Sequence, residues 1–435
     1  MTRHPSAARL LEQETRALLT RLAAVRPFVL QETAVAAAAL SPAALSGIED
    51  HLARGRETVW RHAQTYLGWL CGPGWAAPAA EQQRRFWALR LDFQKALAQF
   101  DLFSEVITQR SETENGVLLS GLDVAAAQAL RLPGGLIDGP PVVCALHRGL
   151  GGAIRRAHTA LPGGGDSPIA IIRIPRERMI GFGVASSLIH EVGHQGAALL
   201  GLVGSLRADL RRARAGPLWI RWISEIVADC WAIGRIGIGS TLGLISLVSL
   251  PRAFVFRPSE NDPHPVPWIR VLLSCAIGDA LYPDPQWNRL AAVWREMYPG
   301  ELPELENGLP GVVRVLIEHR SPALRGRTLG DVLHDPRVRR EALLRRFAAW
   351  RADPGEVDRA PPTLAFAVLG QARAGGLLSP EEEARLLHRL IVTWAVTSTL
   401  ATARAATRSD VRTFLGQPAV WAGATVQPTL IGDRQ

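Results

Sequence analysis

The chain has 435 residues and a mass of 47.2 kDa, too long for one small core and long enough for two or three domains or one elaborated domain. Hydrophobic residues make up 47% and charged residues 20%, which excludes a disordered or collagen-like chain. The formal net charge is +9, and with Lys95 as the sole lysine nearly all of it is arginine. These arginines are interleaved with acids along the chain, so no nucleic-acid partner is expected.

The N-terminus, "MTRHPSAARLLEQETRALLTRL", lacks the uninterrupted apolar run of a signal peptide because Glu12, Glu14 and Arg16 break it. A cytoplasmic location follows as the expectation. Leu11, Leu18, Leu22 and Val25 begin a three- and four-residue apolar rhythm that predicts an N-terminal helical region over 1–125. The texture then changes. "LPGGLIDGPP" and "LPGGGDSP" flank two short apolar runs, "PVVCAL" and "IAIIRIP", which read as strands, while "RGLGGAIRR" between them reads as a turn. That stretch matches neither the dinucleotide fingerprint nor the phosphate-loop pattern.

Helical periodicity returns from Gly183 to about Arg214. "AGPLW" predicts a stop and restart, with Gly216 as a C-terminal cap and Pro217 in the first turn of a second helix through "LWIRWISEIVADCWAIG". The longest apolar stretch, Ile236 to Leu250, is glycine-rich and ends at Pro251, short of the ~20 residues that cross a bilayer. It reads as buried core, and no integral membrane segment is expected. A proline-dense loop, Pro251 to Pro267, leads to another helix, "WIRVLLSCAIGDAL". The middle region is bounded at 126–300, and a C-terminal helical region follows over 301–435. In that last region Ser379, Pro380 and Glu382 make a capping box. Cys71, Cys144, Cys230 and Cys275 form no CxxC pair, so buried reduced thiols are expected rather than disulfides or a sulfur-ligated metal. His147, His158, His319, His334 and His388 have no ligand-like partner at helical spacing, and surface or turn positions account for them.

The chemistry concentrates on two helices. In "HEVGH", His190 and His194 are four residues apart, so on a helix they stack on one face with Cβ atoms roughly 5 to 6 Å apart. Two imidazoles can then grip one ion. Glu191 stands about 100° round the helix, where it can reach a water without ligating the ion. With 11 histidines in 435 residues, such a pattern arises by chance about 0.025 times in a chain of this composition. The plain alternative is a pair of core histidines bonded to backbone carbonyls. In "SEIVADCW", Glu225 and Asp229 again share one face, among Trp219, Ile220, Trp222, Ile223, Ile226, Val227 and Trp231. Two carboxylates in such company need a cation, since desolvating one costs several kcal/mol. A salt bridge to Arg221 or Arg235 would serve. So would Zn2+ on His190, His194 and Glu225, with a fourth position open for water and Asp229 behind, holding the Nδ1 proton of a ligand histidine.

"HEVGH" followed about thirty residues on by "EIVAD" resembles the gluzincin zinc metallopeptidases. The metzincin pattern fails at Ala197 and Leu200. "DPHPVPWIR" is similar to the His-Pro with downstream Arg of the CAAX-prenyl-protease and heat-shock-protease branch. The resemblance covers roughly residues 165 to 285 and implies a zincin-like core with a small sheet and an active-site helix in the middle region; with the helical rhythm read on both flanks, the expected fold is α+β, mostly helical. The resemblance also implies that His264, Arg270 or both help bind the substrate carbonyl. The alternative is that Asp262 or His264 caps the next helix. That branch commonly carries membrane helices, which this chain is not expected to have, and Gly196 stands where the extended motif is usually apolar. The expected activity is therefore zinc-dependent hydrolysis of a protein or peptide substrate with Glu191 as general base, the strand "IAIIRI" forming the edge that pairs with the peptide. One rival is a non-catalytic, zinc-stabilised interaction protein, with partner proteins docking on the helical flanks. Another is an arginine-helix nucleic-acid module at "DPRVRREALLRRFAAWR", for which a solvated amphipathic face is the simpler account.

Overall fold

The computed structural model describes residues 6–25, 35–111, 113–148, 152–162, 164–179, 181, 183–257 and 262–416. Part of the glycine-rich stretch read as a turn, 149–151, and the end of the C-terminal region, 417–435, lie outside the described residues. The chain is mostly helical with one small sheet, an α+β architecture.

Three long helices come first: α1 (Ser6–Ala24), α2 (Pro42–Cys71) and α3 (Ala79–Thr108). They close on Leu18, Leu22, Val59, Tyr66, Phe86 and Phe93. Ser41 caps α2 by accepting from the Ala44 N–H, and Pro42 begins it, a cap-and-proline start that sequence alone favours. A fourth helix, α4 (Thr113–Leu130), leads to the sheet.

The sheet has three strands, β1 (Val142–His147), β2 (Ala153–Arg155) and β3 (Ala170–Pro175), in the order β1-β3-β2. β1 runs parallel and β2 antiparallel to β3. This corrects two expectations. The strand "IAIIRI" lies in the centre, hydrogen-bonded on both sides, and is not the edge. Ala153–Arg155, read as a turn, forms a strand. The outer edge of β1 is closed by side chains: Gln109 bonds both the N–H and the carbonyl of Leu146, Asp123 accepts from the Cys144 N–H, and buried Arg110 donates to the Cys144 carbonyl. Such cover prevents edge-to-edge pairing at β1, and β2 forms the opposite edge of the sheet.

The segment expected as a single helix from 183 to 214 is two, α5 (Gly183–Leu199) and α6 (Leu202–Arg212). The break is Gly201, at φ 62, a left-handed conformation that costs glycine nothing. Gly216 is the N-cap of α7 (Pro217–Ile236), not the C-cap of α6, whose cap is Ala213. Then come α8 (Ile238–Val248), α9 (Arg252–Val255) and α10 (Pro267–Leu281). α8 belongs to the core on one face only, since Leu247 and, beyond its end, Leu250 are exposed.

The remaining helices are α11 (Pro285–Met297), α12 (Pro303–Glu318), α13 (Leu329–Leu333), α14 (Arg340–Ala352), α15 (Gly355–Asp358), α16 (Pro362–Ala374) and α17 (Pro380–Gly416). Ser379 and Glu382 form the reciprocal capping bonds at the start of α17. α16 is buried along almost its whole length against α7, α8 and α14, and α17 packs on α4. One apolar cluster thus runs from Leu118 to Trp394 and crosses residue 300. Cys144, Cys230 and Cys275 are buried thiols, but Cys71 is exposed. No helix among the described residues is long and apolar enough to cross a membrane.

Candidate metal centre and its cleft

α5 and α7 meet at unusually short range because small residues face each other. A Cβ on Gly193 would lie 2.9 Å from the Ala228 backbone, and one on Gly196 would lie 2.3 Å from the Trp231 ring. Gly196, the departure from the extended motif, is thus the seat of Trp231, whose Nε1 donates to the Ala129 carbonyl and ties α7 to α4. This close crossing sets His190 and His194 opposite Glu225.

The two imidazole rings are 4.8 Å apart and perpendicular. His190 Nε2 lies 3.2 Å from Glu225 Oε2, and His194 Nε2 lies 3.4 Å from Glu225 Oε1. The three donor atoms are all within 4.8 Å of one another, so His190, His194 and Glu225 could hold a metal ion. The spacing suits a small ion: ligands about 2.0 to 2.2 Å from a tetrahedral centre stand roughly 3.4 Å apart. Two nitrogens and a carboxylate oxygen suit a first-row transition ion or zinc alike, whereas magnesium and calcium prefer all-oxygen shells.

Behind this triad, His190 Nδ1 lies 2.8 Å from Asp229 Oδ1. Asp229 in turn receives Arg270 in a fork, Nε at 2.7 Å and Nη2 at 2.8 Å. The cation facing the acidic pair is therefore Arg270, not Arg221 or Arg235: Arg221 is exposed and Arg235 donates to the Gln128 carbonyl. Arg270 is 6% exposed; its fork to Asp229 stands behind His190, and its side chain also lies in the cleft wall. His264 is different. Its side chain is 45% exposed, Nε2 lies 3.2 Å from Glu225 Oε2, and Nδ1 lies 2.6 Å from Asp262 Oδ1. Neither Asp262 nor His264 caps α10, whose N-cap is Val266 without a side-chain bond.

Glu191 lies in the wall of a cleft of about 360 Å³ that also includes Gly152, Arg178, His190, Asp229, His264 and Arg270. Gly152 adjoins β2, and a Cβ there would lie 2.9 Å from Glu191 Oε1. The start of β2 and the carboxylate are therefore neighbours. Ser187, one helical turn before Glu191, accepts from Arg178 Nη1 at 2.8 Å. The Ser224 hydroxyl is 3.5 Å from His194 Nδ1.

The electrostatics of these side chains follow from this packing. Burial pulls the His190 pKa down, but the Asp229 carboxylate and the hydrogen bonds to Asp229 and Glu225 outweigh it and raise the pKa to about 9. Glu225 and Asp229 would be raised by burial. The three histidines around Glu225, and Arg270 with His190 around Asp229, instead hold both well below the usual carboxylate range. His264 is raised, chiefly by its hydrogen bond to Glu225, against desolvation. A histidine whose folded pKa lies above its ordinary 6.5 stabilises the fold fully below 6.5 and loses that contribution as pH rises through the folded value. Metal-stripped protein is therefore expected to melt at lower temperature as pH goes from about 6.5 to about 9. Thermal scans across that range should show the loss, and it should be smaller in a His190→Gln variant, which keeps only the share contributed by His264.

Sequence reasoning missed three things here: Arg270 as the counter-charge of Asp229, Gly152 behind Glu191, and a second histidine constellation. His319, expected at a surface or turn, has a side chain only 1% exposed, with Nδ1 2.7 Å from Asp209 Oδ2 and Nε2 3.0 Å from Ser205 Oγ. Ser205 Oγ also bonds the Gly201 and Leu202 carbonyls, so this array fastens the end of α12 to α6. Its helical signal, Ser205 and Asp209 four apart, was present, but the histidine that joins them is more than a hundred residues away.

No family model, curated protein or solved structure matches this chain.

Proposed function

We propose that this protein is a zinc-dependent metallopeptidase that hydrolyses peptide bonds in the cleft at Glu191. The observation that carries the reading is the coincidence of a three-ligand cluster, His190, His194 and Glu225, with a carboxylate beside it that is not one of the ligands. A site that only holds structure is normally closed by four protein ligands and has no use for such a group. The gluzincin resemblance of "HEVGH" and "EIVAD" points the same way.

His190, His194 and Glu225 would hold the ion, which supplies Lewis-acid chemistry by making water acidic near neutral pH and polarising a carbonyl. Asp229 fixes the tautomer and direction of His190 through Nδ1, and Arg270 keeps Asp229 ionised and in place. Glu191 accepts the proton of the attacking water and returns it to the departing amine. His264, half-exposed and facing Glu225, is the side chain suited to donate to the oxyanion. The extended substrate pairs with the outer edge of β2, whose neighbour Gly152 backs onto Glu191.

Digestion of a fluorescence-quenched peptide mixture tests the reading. Cleavage should cease with a chelator such as 1,10-phenanthroline and return on adding Zn2+. Tight zinc binding without cleavage of any peptide would favour an interaction protein on a peptidase-like site.

A further inference from the structure

α14, α15, α16 and α17 enclose a second cavity, of about 530 Å³, that shares no residue with the cleft at Glu191. Its floor is apolar and buried: Phe347 and Trp350 come from α14, Leu369 from α16 and Leu378 from the turn before α17. Beside them stands Leu377, 50% exposed. A single exposed leucine needs no explanation, but this one is held in place at a cavity. Gly376 takes φ 66, its N–H donates to the Arg373 carbonyl, and the Leu377 N–H donates to the Ala372 carbonyl at 2.9 Å. This paired closure of the α16 end fixes the backbone from which Leu377 projects.

The same cavity is lined by three arginines, Arg351 from α14 and Arg385 and Arg389 from α17, against one acid, Glu382. All three arginines are exposed. Arg389 is engaged by Asp358 at 3.2 Å, and Glu382 Oε2 accepts from the Ser379 N–H in the α17 cap. Arg351 and Arg385 act on Glu382 only at longer range, and among the described residues neither is in an ion pair. Two guanidinium groups without a close counter-charge thus stand beside a buried apolar floor. A guanidinium presents a planar fork of donors that matches a carboxylate, and the floor favours whatever apolar body the carboxylate brings with it. The volume lies within the roughly 300 to 1,000 Å³ typical of small-molecule sites.

We propose that the cavity between α14 and α17 binds a small amphipathic carboxylate, with an apolar body of about ten carbons on Phe347, Trp350 and Leu369 and its acid group met by Arg351 and Arg385. A monoanion suits two unpaired arginines, because the third already has Asp358. The site lies outside the proposed peptidase cleft and does not depend on that reading.

Calorimetric titration of the full-length protein with decanoate tests it. Decanoate should bind at one site per chain, at least 10-fold more tightly than decanol or decylammonium, since an ionised acid makes charge-assisted hydrogen bonds that a hydroxyl does not and an ammonium is repelled. Changing Arg351→Gln and Arg385→Gln together, both at exposed positions that the fold tolerates, should weaken decanoate at least 10-fold. Leu377→Asp should weaken it to a similar degree by placing a like charge beside the apolar floor. Absence of decanoate binding, equal binding of decanol, or an affinity unchanged in the double arginine variant would each overturn the site. Binding to phosphatidylglycerol vesicles without binding of monomeric decanoate would assign the arginines to a lipid surface and overturn it too.

Discussion

Glu191→Gln is expected to lower peptide turnover by roughly 10²- to 10⁴-fold while leaving the bound metal in place. Glutamine has the same shape and satisfies the same neighbours, but it cannot take a proton from water. Glu191 is not among the three clustered donors, so its loss should not weaken the ion's hold. Metal content measured beside activity separates the two effects. If the variant lost metal in proportion to activity, Glu191 would be a ligand. If it kept full activity, another group would be the base.

Arg270→Met is expected to cost the metal-free fold about 3 to 5 kcal/mol. Arg270 is the buried cation that holds Asp229 in a two-bond fork, and its Nη2 approaches Glu225 to 3.9 Å. Removing it leaves two carboxylates in a low-dielectric crossing with only protonated histidines to offset them. Zinc would return positive charge to the same place, so saturating metal should recover part of the lost stability. Chemical denaturation with and without zinc measures both quantities. A loss below about 1 kcal/mol in the metal-free protein would show that the carboxylates are not relying on Arg270.

How much of this was legible in the sequence depended on the reach of each interaction. The i, i+4 pairs His190/His194 and Glu225/Asp229 are local, and helical geometry alone puts each pair on one face, so the candidate ligands could be named from spacing. Arg270 could not be chosen as the partner of Asp229, because it arrives from a helix 41 residues further on, and nearer arginines compete for the part. β2 was invisible for another reason: three residues beside glycines carry no alternation to read, and whether a strand is central or at the edge depends on pairings that sequence order does not reveal. The run Ile236 to Leu250 is apolar throughout, which reads as core. That α8 leaves Leu247 and Leu250 in a cleft follows only from how it leans on α5.

His190, His194 and Glu225 share one ion in this account, and elemental analysis of the purified protein measures that most directly. Protein prepared without chelators should contain about one zinc per chain, and His190→Ala and Glu225→Ala should each contain almost none while remaining folded in zinc-free buffer. A chain that holds no divalent metal, and whose melting temperature does not respond to zinc or to a chelator, would contradict it.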